Sequence, residues 1–446
     1  MRAFPAPRLQ RFRTHRHERG ITLIFVVVAI FALLGIAALA IDLVTLYVSK
    51  AEAQRVADAA ALAGAKALID GGVTADPANN AVAWDTACDH AIVQAQGLAN
   101  QGLIGGSAPA TTNVCFSSGI SACLNTCPTS GSAGSGFGVN PQVGVTVRST
   151  TLPLFFAKIW GQRSATVSAT SRAEGFNPSG TTVPVQANCV TPWLLPNIDP
   201  GASIAPPTAI PIINTTTGQI LSPGPTGILN EDIQLDVACG ANCNFGARIP
   251  PAWSALFVTR FVSYYPLNLG TAAISGPSCS AGGNYSKNIT SCNRNSLQCG
   301  STVTLAGIYP QNAGPNLAAI QCLSNAAASG PGAGQDTLDT TTFPFTIDAG
   351  SNNPLAVSGA VTAGDVISSS RSVVTLPIYD QTLYPGAPPP NTVTVIGFAQ
   401  AFVEQVSAAG QPTIRILNVS GCGPGLTGTA VGDDQASSVP VRLIHP

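Results

Sequence analysis

The sequence predicts an α+β chain. One long N-terminal helix crosses a membrane and continues into a small unit of helices and antiparallel sheet. A β-rich, disulfide-bonded region follows. Three observations carry this expectation: a 21-residue apolar run near the N-terminus, an Ala-rich helical continuation, and twelve cysteines that all follow the run.

The apolar run is Ile21 to Ile41, ITLIFVVVAIFALLGIAALAI, with no charge in it. At 1.5 Å per residue it reaches ~31 Å, close to a ~30 Å hydrocarbon core. A soluble core helix is not apolar on every side for this length. Six arginines precede the run, and the positive-inside rule keeps them in the cytoplasm. The remainder is then exported across the inner membrane. Three fates are open for the segment. A cleaved signal has a shorter apolar core, although Ala37-Ala38-Leu39-Ala40 mimics a cleavage box. Gly20 stands where a prepilin leader is cut, but Phe25 stands where type IV prepilins carry Glu. A permanent single-pass anchor is the favoured reading.

Only 41 of 446 residues are charged, 9% against ~25% in ordinary soluble domains. Hydrophobic residues make up 45%, which excludes charge-driven disorder. The net charge of −1 argues against a basic nucleic-acid binder. The balance is uneven: +5 over residues 1–50 and −6 over the rest.

An even number of cysteines in an exported region reads as disulfides. Cys123-x3-Cys127 and Cys239-x3-Cys243 have nearly zinc-like spacing, so a Cys-only metal site is the rival. Pairing cannot be read from spacing, although Cys239–Cys243 would close an attractive short loop. Four cysteines lie within 42–176 and eight within 177–446, which permits pairing inside each part.

Beyond Asp42 the sequence stays helical until Gly71-Gly72. Ala53, Ala57, Ala61 and Ala65 recur every fourth residue and make a smooth ridge for close packing, against the chain's own sheet or a neighbouring subunit. Arg55 and Asp58 are spaced to pair on the other side. Asp42, at the far edge of the span, reads as a boundary marker rather than a specific subunit contact.

Ala40-Ile41-Asp42-Leu43, Leu46-Tyr47, and Gln54-Arg55-Val56-Ala57-Asp58-Ala59-Ala60-Ala61-Leu62-Ala63-Gly64-Ala65, behind an Arg-rich tail, resemble the N-terminal region of TadG-like proteins. These are pilin-like membrane proteins of the bacterial Tad (tight adherence, Flp pilus) system. The resemblance covers about residues 16–68. Residues 139–176 are similar to the same family: two alternating segments, Val143 to Val147 and Ala165 to Ala169, flank Leu154-Phe155-Phe156-Ala157-Lys158-Ile159-Trp160-Gly161. Residues 80–101 read as a further helix. The organisation expected is a cytoplasmic tail 1–20, a span 21–41, a pilin-like unit 42–176 and a β-rich exported domain 177–446.

The distal region alternates β-like runs with Pro, Gly, Asn and Ser turns; Val373 to Asp380, Thr392 to Phe402 and Pro412 to Val419 are examples. Pro196 to Gly227 looks linker-like. Cys189 to Asn197 and Leu417 to Gly423 also resemble exported proteins of the TadE/TadG kind.

No catalytic constellation emerges. The metal-binding Asp-x-Ser-x-Ser of some TadG-like proteins is absent, as are EF-hand, Walker A and Rossmann patterns. Asp433-Asp434 and the Asp336/Asp339 pair read as solvated loops rather than calcium ligands. His90 and His445 are the only exported histidines, and neither has a triad motif nearby. Neither an enzyme, a cofactor, a metal nor a small-molecule substrate is expected. The resemblance implies a structural or assembly role in a Tad-type pilus or related secretion machine. Its partners would be the membrane, other pilin-like transmembrane helices and assembly-platform proteins. The alternative is a surface adhesin whose distal domain contacts a glycan or protein.

Overall fold

The computed structural model describes residues 18–77, 84–118, 123–128, 136–177, 184–199, 210–221, 228–237, 261–270, 274–275, 283–293, 296–306, 313–342, 344–381, 391–423, 431–432 and 439–444. The chain is α+β, as its sequence predicts.

A single helix, α1 (Glu18–Asp70), runs unbroken for 53 residues. Its N-terminal part is long and apolar enough to cross a membrane, with a mean hydropathy of 3.1 over its most apolar stretch. From Thr22 to Leu34 every residue is exposed. Beyond Val48 the helix is built into a folded unit.

That unit contains α2 (Trp84–Gln101) and three strands, β1 (Thr111–Ser118), β2 (Pro141–Pro153) and β3 (Ser164–Gly175). The strands pair antiparallel in the order β1-β2-β3. Val143, Val145 and Val147 all point inward to the helices, because alternate strand residues share one face. The opposite face of β2 carries a different demand at Gly144. A Cβ there would stand 2.9 Å from the sulfurs of both Cys115 and Cys123, so the missing side chain makes room for their disulfide. Cys88 and Cys127 form a second disulfide, joining α2 to the β1–β2 connection. Both members of the Cys123-x3-Cys127 pair are thus disulfide-bonded, to Cys115 and Cys88, and not zinc ligands.

The fourth strand of this sheet comes from the other end of the chain. Val441–Ile444, which the sequence places in the distal region, pairs antiparallel with residues 172–175 of β3. Arg442 Nε bonds Glu174 Oε1 at 2.7 Å, and its guanidinium lies 4.0 Å over the Phe176 ring. Strands from residues 111–175 and 441–444 therefore share one sheet.

The distal part is a closed barrel. Its strands are β4 (Trp193–Pro196), β5 (Asp232–Val237), β6 (Phe261–Pro266), β7 (Val373–Tyr379), β8 (Thr392–Val406) and β9 (Pro412–Gly421). They pair in the order β8-β7-β4-β6-β5-β9, and β9 returns to β8. The β7–β4 and β6–β5 pairs are parallel, and the others are antiparallel. Closure removes free strand edges, and the 15-residue β8 carries two bulges, at Ile396 against β7 and at Glu404 against β9. Alternate residues from all six strands fill the interior: Trp193 and Leu195, Ile233 and Leu235, Val262 and Tyr264, Leu376 and Ile378, Ala401 and Val403, Ile414 and Ile416. Two helices, α3 (Asn284–Thr290) and α4 (Ala313–Ser324), add Ile289, Ala319, Ile320 and Leu323 to the same core. Tyr264 meets Tyr285 there, hydroxyl to hydroxyl at 3.1 Å, and burial pushes its phenol well above the ordinary value.

Two sequence expectations change. The stretch expected to be linker-like contributes to the core where it is described: Ile212, Ile213 and Ile220 belong to the barrel core, while the turn at Thr215–Thr217 is exposed. Asn197 holds it like a strand neighbour, donating to the Ile213 carbonyl at 2.7 Å and accepting from the Ile213 amide at 2.8 Å. Asp336, expected on a solvated loop, is buried and accepts from the Gly350 amide, Asn353 Nδ2 and Ser370 Oγ. A third disulfide, Cys299–Cys422, ties the barrel to its neighbouring loops. Cys189 and Cys322 are also disulfide-bonded. Cys239 and Cys243 lie outside the described residues.

One buried polar side chain of the barrel reaches the first unit, where Leu229 also packs in its core. Asn418 Nδ2 donates to the Ile69 carbonyl at 3.1 Å, satisfying an acceptor in the last turn of α1. Its Oδ1 accepts from Thr74 Oγ1 at 3.2 Å and from the Val419 amide at 2.8 Å. Asn418→Ala leaves the Thr74 hydroxyl without this acceptor and the Ile69 carbonyl with the Gly72 amide alone, in a dry contact. We expect a loss of about 1–3 kcal/mol, read as a lower denaturation midpoint of the detergent-solubilised chain; an unchanged midpoint would remove this role from Asn418.

Candidate functional site

The residues singled out in the sequence converge on the stretch of α1 that leaves the exposed apolar segment. Asp42 is buried, only 4% exposed. Its partners are three consecutive backbone amides in the β2–β3 connection. Oδ1 accepts from Phe155 at 2.8 Å and Phe156 at 3.4 Å, while Oδ2 accepts from Phe156 at 3.1 Å and Ala157 at 2.7 Å. A short 3-10 helix, Ala157–Trp160, begins at this point, and Phe156 offers no side-chain cap of its own. Free amides at such a start need an acceptor, and a carboxylate is the strongest available. The carboxylate thus does more than mark a boundary: it pins a connection 113 residues away to the side of the helix.

Two to three turns higher the polar residues of α1 address β3. Lys50 Nζ bonds the Ser168 carbonyl. Gln54 Nε2 bonds the Thr170 carbonyl at 3.3 Å and Asp58 Oδ1 at 2.8 Å. Four helical residues rise ~6 Å and two strand residues ~6.6 Å, so the two ladders keep step. These carbonyls lie just upstream of residues 172–175, where the C-terminal strand takes over. The helix therefore covers the part of the β3 edge that no described strand pairs. Arg55, the expected partner of Asp58, is exposed instead. Glu52 Oε2 accepts the Gly105 amide at 2.7 Å, tying down the turn after α2.

On the inner face of α1, Ala53, Ala57, Ala61 and Ala65 are completely buried, together with Ala60. They meet a second small-residue row on α2, Ala87, Ala91, Ala95 and Ala99, in one core with the β2 valines. Gly64 sits at a close approach of α1 to both α2 and β2. A Cβ there would lie 2.9 Å from Val143 Cγ1, 3.3 Å from Ala95 Cβ and 3.4 Å from the Ala91 carbonyl. The smooth ridge is thus occupied by the chain's own α2 and sheet. Gly20 lies in the first turn of α1, Ile21 follows it, and Ile41 is exposed immediately before Asp42.

Residues 20–67 match the TadE/G-like putative Flp pilus-assembly family. No curated protein and no solved structure matches the chain. The TadE/G-like region coincides with α1 from the start of its apolar segment to the Ala-rich contact. Asp42, Gln54, Asp58 and Gly64 all lie within it. Their partners on β3 and the 154–157 segment lie outside it, and sequence reasoning left Lys50, Glu52 and the three amides unassigned. The signal that points to them is the aromatic segment 154–161 itself, within a β2–β3 connection too apolar for an ordinary hairpin loop. His90, on α2, is partly buried; burial holds its imidazole below the ordinary value, and Asp70 opposes this. Among the described residues no group of three or more His, Cys, Asp or Glu is placed to hold a metal ion.

Two substitutions test this geometry. Asp42→Ala frees the 155–157 amides, with a cost of about 1.5–3 kcal/mol, the scale of a hydrogen bond to a charged group. Exposed Lys158 then becomes a faster trypsin site, with Asp42→Asn intermediate because one acceptor oxygen remains; equal cleavage in all three would refute the clamp. Gly64→Ala sets a helix-propensity gain of roughly 1 kcal/mol against an overpacking cost of about 1–3 kcal/mol. Val143 is β-branched and held in a strand, so we expect net destabilisation, measured as a lower thermal midpoint.

Proposed function

We propose that this protein is a non-enzymatic structural or assembly component of a Tad-type (Flp, type IVc-like) pilus or a related secretion apparatus. Residues 21–41 anchor it in the inner membrane by a single pass, with residues 1–20 cytoplasmic. The α+β unit and the disulfide-bonded barrel stand in the periplasm. The observation that carries the reading is where the family match falls. It covers a helix whose first half exposes apolar side chains to every side and whose second half is locked into a folded unit by Asp42, Gln54 and the alanine ridge. A helix of that design delivers a folded body to a fixed height above a bilayer. Other pilin-like transmembrane helices and the assembly platform are the partners this suits. The disulfides agree with an oxidising compartment.

Deletion of the gene tests the reading. We expect fractionation to place the protein in the inner membrane and deletion to abolish piliation, with rescue by the full chain. Normal pili with lost attachment would shift the assignment to an adhesin, and a cytoplasmic protein with free thiols would overturn both.

A further inference from the structure

The exposed apolar surface of α1 does not end where the uncharged run ends. Leu43 (65% exposed), Val44, Tyr47 (78%) and Val48 continue it on one side of the helix. The first exposed charge on this surface is Lys50. Asp42, the one charge in between, is turned inward and spent on the 155–157 amides. The apolar sleeve therefore extends from Thr22 to Val48. At 1.5 Å per residue that is ~40 Å, longer than a ~30 Å hydrocarbon core and matched to the ~40–45 Å that includes the headgroup region.

The clamp also sets the height of the connecting segment. Because Phe155, Phe156 and Ala157 are bonded to Asp42, their backbone lies about 9 Å short of Val48 along the helix axis. The folded unit thus reaches down beside the sleeve. At its lowest point it presents Phe155, 58% exposed, and next to it exposed Lys158. An aromatic ring beside a lysine, with exposed Tyr47 higher on α1 and on another side of it, is the composition that settles at the polar–apolar boundary of a bilayer. The rings occupy the headgroup level and the lysine stem lies along apolar surface with its charge in water.

We propose that the 153–161 segment, docked on Asp42, and the Leu43/Val44/Tyr47/Val48 face together form an interfacial foot. It inserts into the headgroup–acyl boundary on the side of the folded unit, so the protein holds the membrane by a span and a foot. This rests on the span reading given above. Lipid is the occupant because the surface continues the all-round apolar sleeve without a polar break, and because its total length matches the bilayer including its interfacial zone. Held this way, the unit has a fixed height and tilt, where a helix alone would leave it free to swivel about the axis.

Photo-crosslinking in the full-length protein separates the possibilities. p-Benzoylphenylalanine replaces Phe155 or Val44 in the proposed foot, Leu34 in the span, or exposed Val93 on α2, in vesicles of phosphatidylethanolamine and phosphatidylglycerol and in native membranes. Adducts of phospholipid mass are expected at positions 155 and 44 at a yield comparable to position 34, and not at position 93. Adding Asp42→Ala is expected to reduce the lipid adduct at 155 while leaving that at 34 unchanged. Lipid adducts at 34, with protein adducts or none at 155 and 44, would overturn the foot and leave the span. Absence of lipid adducts at 34 would overturn the span and the foot with it.

Discussion

The close approach of α1 to the body it carries is the constraint on which the rest depends. A helix that must be apolar on all sides below and buried on one side above has to change its packing partner without a break. It does so by giving up side-chain volume. Ala53, Ala57, Ala61 and Ala65 face the alanines of α2 across a gap that larger side chains would force open, and Gly64 removes the last obstacle in front of Val143. Small residues forgo the area-proportional gain of large apolar ones. They return a contact between near-backbone surfaces in which the helix direction is tightly determined. The cost in burial is offset by the barrel core and by disulfides elsewhere in the chain.

Fixing the direction of α1 would accomplish little if the sheet could slide along it. The polar side chains of the helix prevent that. Asp42, Lys50, Gln54 and Glu52 bind backbone groups of the β2–β3 connection, of β3 and of the turn after α2, so the register is set by hydrogen bonds to main chain. At the other end of the helix Asn418 binds the Ile69 carbonyl, and the strand Val441–Ile444 completes the first sheet. A tilt of α1 is thereby transmitted to both units. The barrel contacts the end of the helix through Asn418 of its own β9, and Val441–Ile444 joins the first sheet.

How much of this was legible in the sequence follows from the range of each signal. The apolar run, the alanine spacing and the alternation in residues 141–153 and 164–175 are local, and periodicity reads them directly. The distal strands were legible as strands for the same reason: Thr392 to Phe402 alternates and is flanked by turns. Their closure was not. It depends on β9 meeting both β8 and β5, nearly 180 residues apart, and on short pairings such as β4–β7 that leave little local pattern. Asp42 illustrates the boundary. Its position was readable, but its partners are amides, which every residue carries, so no side-chain identity at 155–157 announces them. The return of residues 441–444 to the first sheet was hidden likewise, because an edge strand of four residues looks the same wherever it docks.

The scarcity of charge gains a physical account from these contacts. Glu174 and Glu404 are paired with Arg442 and Arg415, but at two other carboxylates, both buried, the partners are neutral donors: three backbone amides for Asp42, and Gly350, Asn353 and Ser370 for Asp336. Such an arrangement satisfies a buried carboxylate without a counter-ion. It also avoids the desolvation cost that a second charge would bring. Exposed ion pairs add little to stability in any case, and Lys66–Asp70 on the outside of α1 is of that kind. A chain that closes its main sheet into a barrel, staples its loops with disulfides and caps its exposed amides with isolated carboxylates has few uses left for surface charge. The low count then fits how residues 42–446 are held together, and the arginines concentrated ahead of the apolar segment stand apart from it.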